Sequence, residues 1–502
     1  MSTALRNARA VQRRRAGAPT GETTRYTGYL TIMVTLIIVV PLGRAAAIAL
    51  GEPAALTLML SPAAGVVVAA ALGMMLAALI LLGQVRGPAL LSPFATVAIA
   101  GNGLPRSVTL RRPLVIAALI LAGLLGGAAA FVGAIMYGSS VTTIGAAGTF
   151  VGGVLLYAAV AAGGWLVGQV ASRPIAQLAA AAVALATVAT VLIPPFFVVA
   201  PWGWAAALYP PIAGIEWLPL GGLALLACLA VALSPRLLDR LKGPDLLSQA
   251  RRWQAVGTFG AVGDLAGAFA QFRPLPTRGR GRWAVRGRGL ATTFLYRDLV
   301  GALRTPGRCV VAVAAVIGAG LLNALAFTAP SGAMAAGIAV AAVLGYLGLG
   351  VWSDGLRHAA ESAGSPTLYG VGHVRLVVLH ALFPTAAAIL FAAVGATAGF
   401  LLGASWSAVL LALLAAAFTV AVRILDATKG QMPLSLLAPI PSPAGDLSGV
   451  LIAYWQADSL IITVIVLTGV ALLATANPLA LLLLVATGVI VLLLARRRLG
   501  RR

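Results

Sequence analysis

The sequence predicts an all-α fold: a polytopic transmembrane helical protein of about twelve spans in two six-span halves. Three observations predict it. Hydrophobic residues make up 61% of the 502-residue chain and charged residues 9%, a balance unlike that of an ordinary soluble domain. The apolar residues gather in twelve nearly charge-free runs, each close to the ~20 residues that a helix needs to cross a hydrocarbon core of roughly 30 Å. Of the 35 Lys and Arg, all but Arg44 fall in segments on one side of the resulting alternation. Basic residues stay cytoplasmic, so a cell membrane location with both termini inside is expected. Only a helix satisfies its own backbone in lipid, which makes each run a helix and not a strand.

In chain order, a basic N-terminal segment (1–28) precedes a first transmembrane half (29–234) with runs near 29–50, 62–83, 113–136, 148–168, 175–198 and 217–234. Residues 235–308 interrupt the apolar pattern. Their Arg-, Gly- and Pro-rich stretch RPLPTRGRGRWAVRGR (273–288) reads as a flexible basic linker with too little apolar content for a core of its own. The second half (309–495) carries runs near 309–328, 334–353, 374–398, 402–422, 459–475 and 478–495, and a basic tail (496–502) closes the chain. The sixth run is short, stopping before Ser234 and Pro235. Residues 433–455 are too apolar for a plain loop and too broken by Pro for a span, and are expected to form an interfacial or docking segment.

Segments assigned outside are short and poor in charge. The most distinctive, 193–219, holds six prolines that forbid a continuous helix, with Trp202, Trp204, Tyr209 and Trp217 suited to the head-group region. One or two short interfacial helices are expected there, serving either as an outer gate or as an aromatic belt. Inside segments hold the Arg clusters. Each half repeats one order: a basic stretch, a span, a short outer turn, a returning span, a Gly/Pro/Ser-rich loop, then four more spans. The two loops (83–113 and 354–384) align loosely, each with an early Arg, a central Ser-Pro pair (Ser92-Pro93, Ser365-Pro366) and basic residues before the next span.

Several function classes are excluded or disfavoured. The net charge of +23 admits a nucleic-acid partner, but a basic face on anionic lipid explains it better, and no nucleic acid is expected. No Gly-Lys dipeptide occurs, so the chain has no P-loop of its own. No Gly-x-Ser-x-Gly elbow or HExxH helix is present, and neither an enzyme activity nor a cofactor is expected. Cys228 and Cys309 read as small buried hydrophobes. The twelve acidic residues, from Glu22 to Asp458, fall in loops or at run ends, which weighs against an ion-coupled carrier. His358, His373 and His380 lack metal-ligand spacing and nearby acids in the sequence.

Six spans per half, basic segments before spans one and seven, and a loop between the second and third span of each half resemble the membrane subunit of ABC-2 type exporters. GSPTLYGVGHVRLVVLHALFP and PSPAGDLSGVLIAYWQAD are similar to an uncharacterised bacterial family of twelve-span proteins associated with separately encoded ABC ATPases. The resemblance implies a permease subunit energised by ATPase subunits in trans, working by alternating access. An ATPase-independent secondary carrier or lipid flippase is the alternative. The exporter resemblance makes Arg86, Ser92, Pro93, Arg106, Arg111 and Arg112, and Arg357, Ser365, Pro366, Tyr369, His373 and Arg375, candidate ATPase-coupling residues, although for any single basic one membrane-lipid anchoring is the favoured role. Residues 294–308 resemble an elbow helix, with Phe294, Leu295, Leu299 and Leu303 near one face and Arg297, Asp298 and Arg304 largely opposite. The short connection before the last span implies that the second half lacks the outer re-entrant element that follows the fifth span in that family.

Overall fold

In the computed structural model the described residues are chiefly 35–100, 103–210, 217–261, 288–329, 331–366, 370–430 and 448–500, with short stretches among 25–33, 267–286 and 432–446. The chain divides into two compact units, Met1–Phe272 and Arg273–Arg502. Among the described residues, eleven helices are long and apolar enough to cross a membrane. This is a multi-pass membrane protein.

The first unit opens with a π-helical turn over Thr35–Val39 that leads into α1 (Val40–Gly51). α1 ends where Glu52 turns extended ahead of Pro53, and α2 (Pro53–Leu60) and α3 (Pro62–Val85) each restart at a proline. Proline suits a first helical turn because its missing N–H is an orphan there anyway. The first expected run is therefore not one of the eleven spanning helices. α4 (Pro93–Ala100) and α5 (Arg106–Thr109) occupy the following loop, and α6 (Arg111–Gly138), α7 (Ile144–Val170) and α8 (Arg173–Leu192) are long spans. Two short helices, α9 (Pro194–Val199) and α10 (Pro201–Ala207), precede α11 (Trp217–Asp239). α11 runs through Pro235, five residues beyond the expected end of the sixth run.

The interruption between the two halves is partly helical. Its first part forms α12 (Gly243–Ala261), with Leu246, Gln249 and Ala250 buried. Leu238, Leu241 and Leu246 share a buried cluster with Ala89, Leu110, Leu114 and Leu166. The flexible reading concerned 273–288, much of which lies outside the described residues, and α12 lies upstream of it.

The second unit contains α13 (Leu290–Leu303), α14 (Pro306–Ala326), α15 (Ser331–Leu349), the short α16 (Asp354–Glu361), α17 (His373–Leu401), α18 (Trp406–Ala427), α19 (Ser448–Ala476) and α20 (Leu482–Gly500). The segment before α19 holds a 3-10 turn (Leu434–Leu437) and a two-residue hairpin, β1 (Pro441–Ser442) with β2 (Gly445–Asp446). Asn477 and a 3-10 turn (Pro478–Leu481) are all that separate α19 from α20. The second half thus has no counterpart of α9 and α10.

The two units share four helix pairings. Numbered by the expected runs of each half, the second helix packs on the fourth and fifth, the third on the fourth, and the fourth on the sixth. These are α3–α7, α3–α8, α6–α7 and α7–α11 in the first unit, and α15–α18, α15–α19, α17–α18 and α18–α20 in the second.

Glycine decides how closely the helices cross. A Cβ on Gly168 of α7 would stand 2.1 Å from the Ile80 carbonyl oxygen of α3, and one on Gly395 of α17 would stand 2.0 Å from the Ile317 oxygen of α14. In lipid, where apolar burial drives little helix association, such backbone approach supplies the packing. Gly168→Leu or Gly395→Leu is expected to lower the melting temperature in detergent by about 5 °C or more. Gly127→Ala, where a Cβ meets nothing within 4 Å, is expected to leave it unchanged or raise it.

Candidate coupling surface at the basic end

A helix leaves its last carbonyls without intrahelical partners, and at a membrane boundary these need donors from elsewhere. The end of α3 shows how the first unit supplies them. Gln249 Nε2 of α12 donates to the Gly83 carbonyl at 3.1 Å, Trp253 Nε1 of α12 to Val85 at 3.1 Å, and Trp165 Nε1 of α7 to Arg86 at 2.7 Å. Gln84 Nε2 in turn donates to the Gly168 and Ala171 carbonyls at the end of α7. Gln169 receives the Ala89 N–H at 3.2 Å and donates to Gln249 Oε1 at 3.2 Å. Three glutamines and two tryptophans thus knit α3, α7, α12 and the start of the loop together.

The predicted residues of this loop take different places. Arg86 is exposed, with its guanidinium 4.7 Å above the Trp253 ring. Ser92-Pro93 starts α4: the Ser92 hydroxyl accepts the Ala95 N–H at 3.3 Å. α4 buries Ala95, Thr96 and Ile99, packs on α12, and presents Phe94 and Val97 outward. Arg106 begins α5, where the Ser107 N–H meets Asp239 Oδ1 at 2.8 Å. Arg111 and Arg112 are exposed at the N-terminus of α6. Cations there oppose the helix dipole, so their position answers to surroundings other than the helix.

The second unit closes the basic end of its own helices with charge. Arg423 of α18 is buried, donates from Nε to the Tyr346 carbonyl of α15 at 3.0 Å and again from Nη2, and lies 3.5 Å from the Tyr346 ring centroid. Asp426 accompanies it at 3.4 Å. Arg498 donates to the Leu425 carbonyl at 3.3 Å, and Lys429 bonds Asp458 and the Trp455 carbonyl. Arg423 stands one residue past the expected run 402–422. The helix extends beyond the run and carries it inside.

The second loop is built differently from the first. α16 buries Leu356, Ala359 and Ala360 against α17 and α18, with Arg357 half-buried. Its helix ends before Ser365 and Pro366, both exposed, whereas Ser92-Pro93 begins a helix. The two Ser-Pro pairs are therefore not structural equivalents. His373 and Arg375 begin α17, half-buried and exposed respectively, and Tyr369 lies outside the described residues.

One buried pair ties this loop to the elbow-like α13. His380 Nδ1 of α17 and Asp298 Oδ2 of α13 are 2.7 Å apart, with side chains 3% and 10% exposed. The Phe294 ring stands edge-on to the imidazole at 4.8 Å. Gly355 of α16 fits against both: a Cβ there would lie 2.5 Å from His380 Nδ1 and 2.9 Å from Asp298. This corrects two expectations. His380 does have an acid beside it, and Asp298 faces the bundle although helical periodicity set it opposite the apolar face. Leu295 and Leu303 point outward instead, as does Arg297, while Arg304 is half-buried at the end of α13.

At the opposite end, the expected outer-gate residues divide. Trp202 and Tyr209 are core residues of the first unit. Trp202 Nε1 donates to Thr190 Oγ1 at 3.0 Å, and Tyr209 meets the Phe150 ring edge-on at 5.4 Å. Burial pushes the Tyr209 phenol pKa up. Trp204 is half-buried and donates to the Val198 carbonyl, and Trp217, 71% exposed, alone keeps the position expected of an interfacial anchor. The reason is the fold of α10, which turns back against α3, α7 and α11. Gly203 permits it, since a Cβ there would lie 1.9 Å from the Phe197 carbonyl oxygen.

Among the described residues, no group of three or more His, Cys, Asp and Glu converges to hold a metal ion. No protein-family model, curated protein or solved structure matches the chain.

Breaking one side of a buried pair leaves an uncompensated polar or charged group. Asp298→Ala and His380→Ala are each expected to destabilise the protein by about 3–5 kcal/mol, and the double variant by much less than the sum. A double-mutant cycle of detergent unfolding measures this, and hydrogen exchange over 290–303 reports release of α13. At the other end, Trp202→Phe is expected to cost about 1 kcal/mol through the Thr190 bond, and Trp217→Ala less than ~0.5 kcal/mol. Equal effects at the two tryptophans in the same unfolding assay would contradict their assignment to core and surface.

Proposed function

We propose that this chain is the permease subunit of an ABC-2-like, ATP-driven exporter, energised by separately encoded ATPase subunits. It sits in the cell membrane with both termini and the basic ends of the two units cytoplasmic. The observation that carries the reading is the repetition of the same four helix pairings in both units, each with a short helix in the loop between its second and third spans. α4 and α16 are the natural contact points for an ATPase. Each rests on helices bonded or packed to the spans, so a push on it moves the spans and is not lost in a slack loop. In the first unit the route runs from α4 through α12 and its amides to α3 and α7. In the second it runs from α16 to α17 and α18, with α13 locked alongside by Asp298.

The buried His380–Asp298 pair favours a second reading, an ion-coupled secondary carrier or lipid flippase, because ionisable groups within a bundle commonly serve proton transfer. Against it, the pair sits where α13 meets α16 and α17, a position suited to holding the elbow.

Purified alone, the chain is expected to show no ATPase activity, having no Gly-Lys dipeptide. With Cys228 and Cys309 replaced, Val97→Cys on α4 and Glu361→Cys on α16 are expected to crosslink to a copurifying P-loop protein, while Ala95→Cys, buried under α4, is not. On whole cells, an impermeant thiol reagent should label Gly145→Cys and spare Gly279→Cys. Ion-gradient-driven transport by the lone chain in liposomes would replace the exporter reading with the carrier.

A further inference from the structure

Along α13 in the second unit, Arg286, Ala291, Thr292, Leu295, Tyr296 and Leu382 line an open groove of about 420 Å³. Its walls are apolar, from Ala291 and Leu295 on α13 and Leu382 on α17, and its polar groups are few. The Thr292 hydroxyl already donates to the Gly289 carbonyl at 2.9 Å. Arg286 brings the positive charge and is exposed, as are Arg288 and Arg297 nearby. Trp283, 83% exposed, and Val285, also exposed, precede Arg286 in the chain. A tryptophan so placed beside arginines matches the chemistry of a lipid head-group layer, apolar on one side and wet on the other.

We propose that this groove binds one anionic phospholipid, an acyl chain lying between α13 and α17 and the phosphate held by Arg286. The charge fits: a guanidinium at the mouth of an apolar trough matches a ligand with an anionic head and a hydrocarbon tail. The size fits as well, within the range of small-molecule clefts. A free anion has no use for the apolar walls. Leu295 stands one turn before Asp298 on α13 and Leu382 belongs to α17, so a lipid in the groove bridges the two helices that the Asp298–His380 pair joins, and bound lipid stabilises the docked elbow. The proposal is independent of the export reading, because its test measures binding and no transport.

The full chain, purified and delipidated in detergent, is titrated with phosphatidylglycerol or phosphatidylcholine of identical acyl chains in mixed micelles. Native mass spectrometry counts retained lipid and thermal unfolding reports its stabilisation. One phosphatidylglycerol is expected to be retained, about five-fold tighter than phosphatidylcholine, the worth of one basic residue at an anionic surface. Arg286→Ala should bring the two lipids level, and Arg288→Ala, outside the groove, should have a smaller effect. Leu295→Trp, which fills the groove, should weaken both lipids, and Ala291→Phe is a second variant of the same kind should the first not fold. Inorganic phosphate should not compete. Retention of phosphatidylglycerol unchanged in Arg286→Ala, or lipid binding unchanged in a folded groove-filling variant, would overturn the proposal.

Discussion

The basic end of this protein is organised around carbonyl groups that no helix can satisfy for itself. A spanning helix pairs every backbone group in its interior and leaves its last carbonyls free, and beside hydrocarbon those groups cannot be left to water alone. In the first unit Gln249, Trp253 and Trp165 donate to the end of α3, and Gln84 to the end of α7. In the second, Arg423 donates to the end of α15 and Arg498 to the end of α18. The polar residues that look scattered along the chain thus have a common task.

The correspondence extends to which helix supplies the donor. In both halves the fourth span reaches the end of the second: Trp165 of α7 to the Arg86 carbonyl, and Arg423 of α18 to the Tyr346 carbonyl. The chemistry has diverged while the position has not. The first unit uses neutral amides and indoles, whereas the five described ion pairs all fall in the second unit. A neutral donor caps a carbonyl with little desolvation. A buried guanidinium loses hydration and needs the Tyr346 ring and Asp426 around it.

These end-closures give α4 and α16 firm seats. α4 lies on α12, whose Gln249 and Trp253 belong to the α3 cap. α16 lies on α17, with Gly355 against the His380–Asp298 pair. Each short helix is therefore joined to its bundle through buried polar groups, α4 through the α3 cap and α16 through the His380–Asp298 pair. The charge-poor end shows no such likeness: α9 and α10 fold into the first unit, while four residues of 3-10 turn join α19 to α20.

By itself the sequence determined the all-α class, ten of the twelve expected span positions to within a few residues or a turn or two, and the missing outer element of the second half. Those features are local, because hydrophobic run length and the side on which Arg accumulates are written in contiguous residues. The first run and the 433–455 segment were harder, because Pro and Glu52 interrupt helices without ending the apolar pattern. Gln84 and Gln169 were legible in part, each standing one residue past a run, a place where a polar side chain has a helix end to cap. Their partner Gln249 was not, being 80 residues beyond Gln169 in a stretch that reads as linker. Only the tertiary structure set Asp298 against His380 across 82 residues, drew Arg423 into the bundle, and turned Trp202 and Tyr209 from a membrane belt into core. In each case the residue's partner is remote in sequence and the outcome depends on the angle at which two helices meet. Periodicity assigns a side chain to a helix face, and packing alone decides what that face will touch.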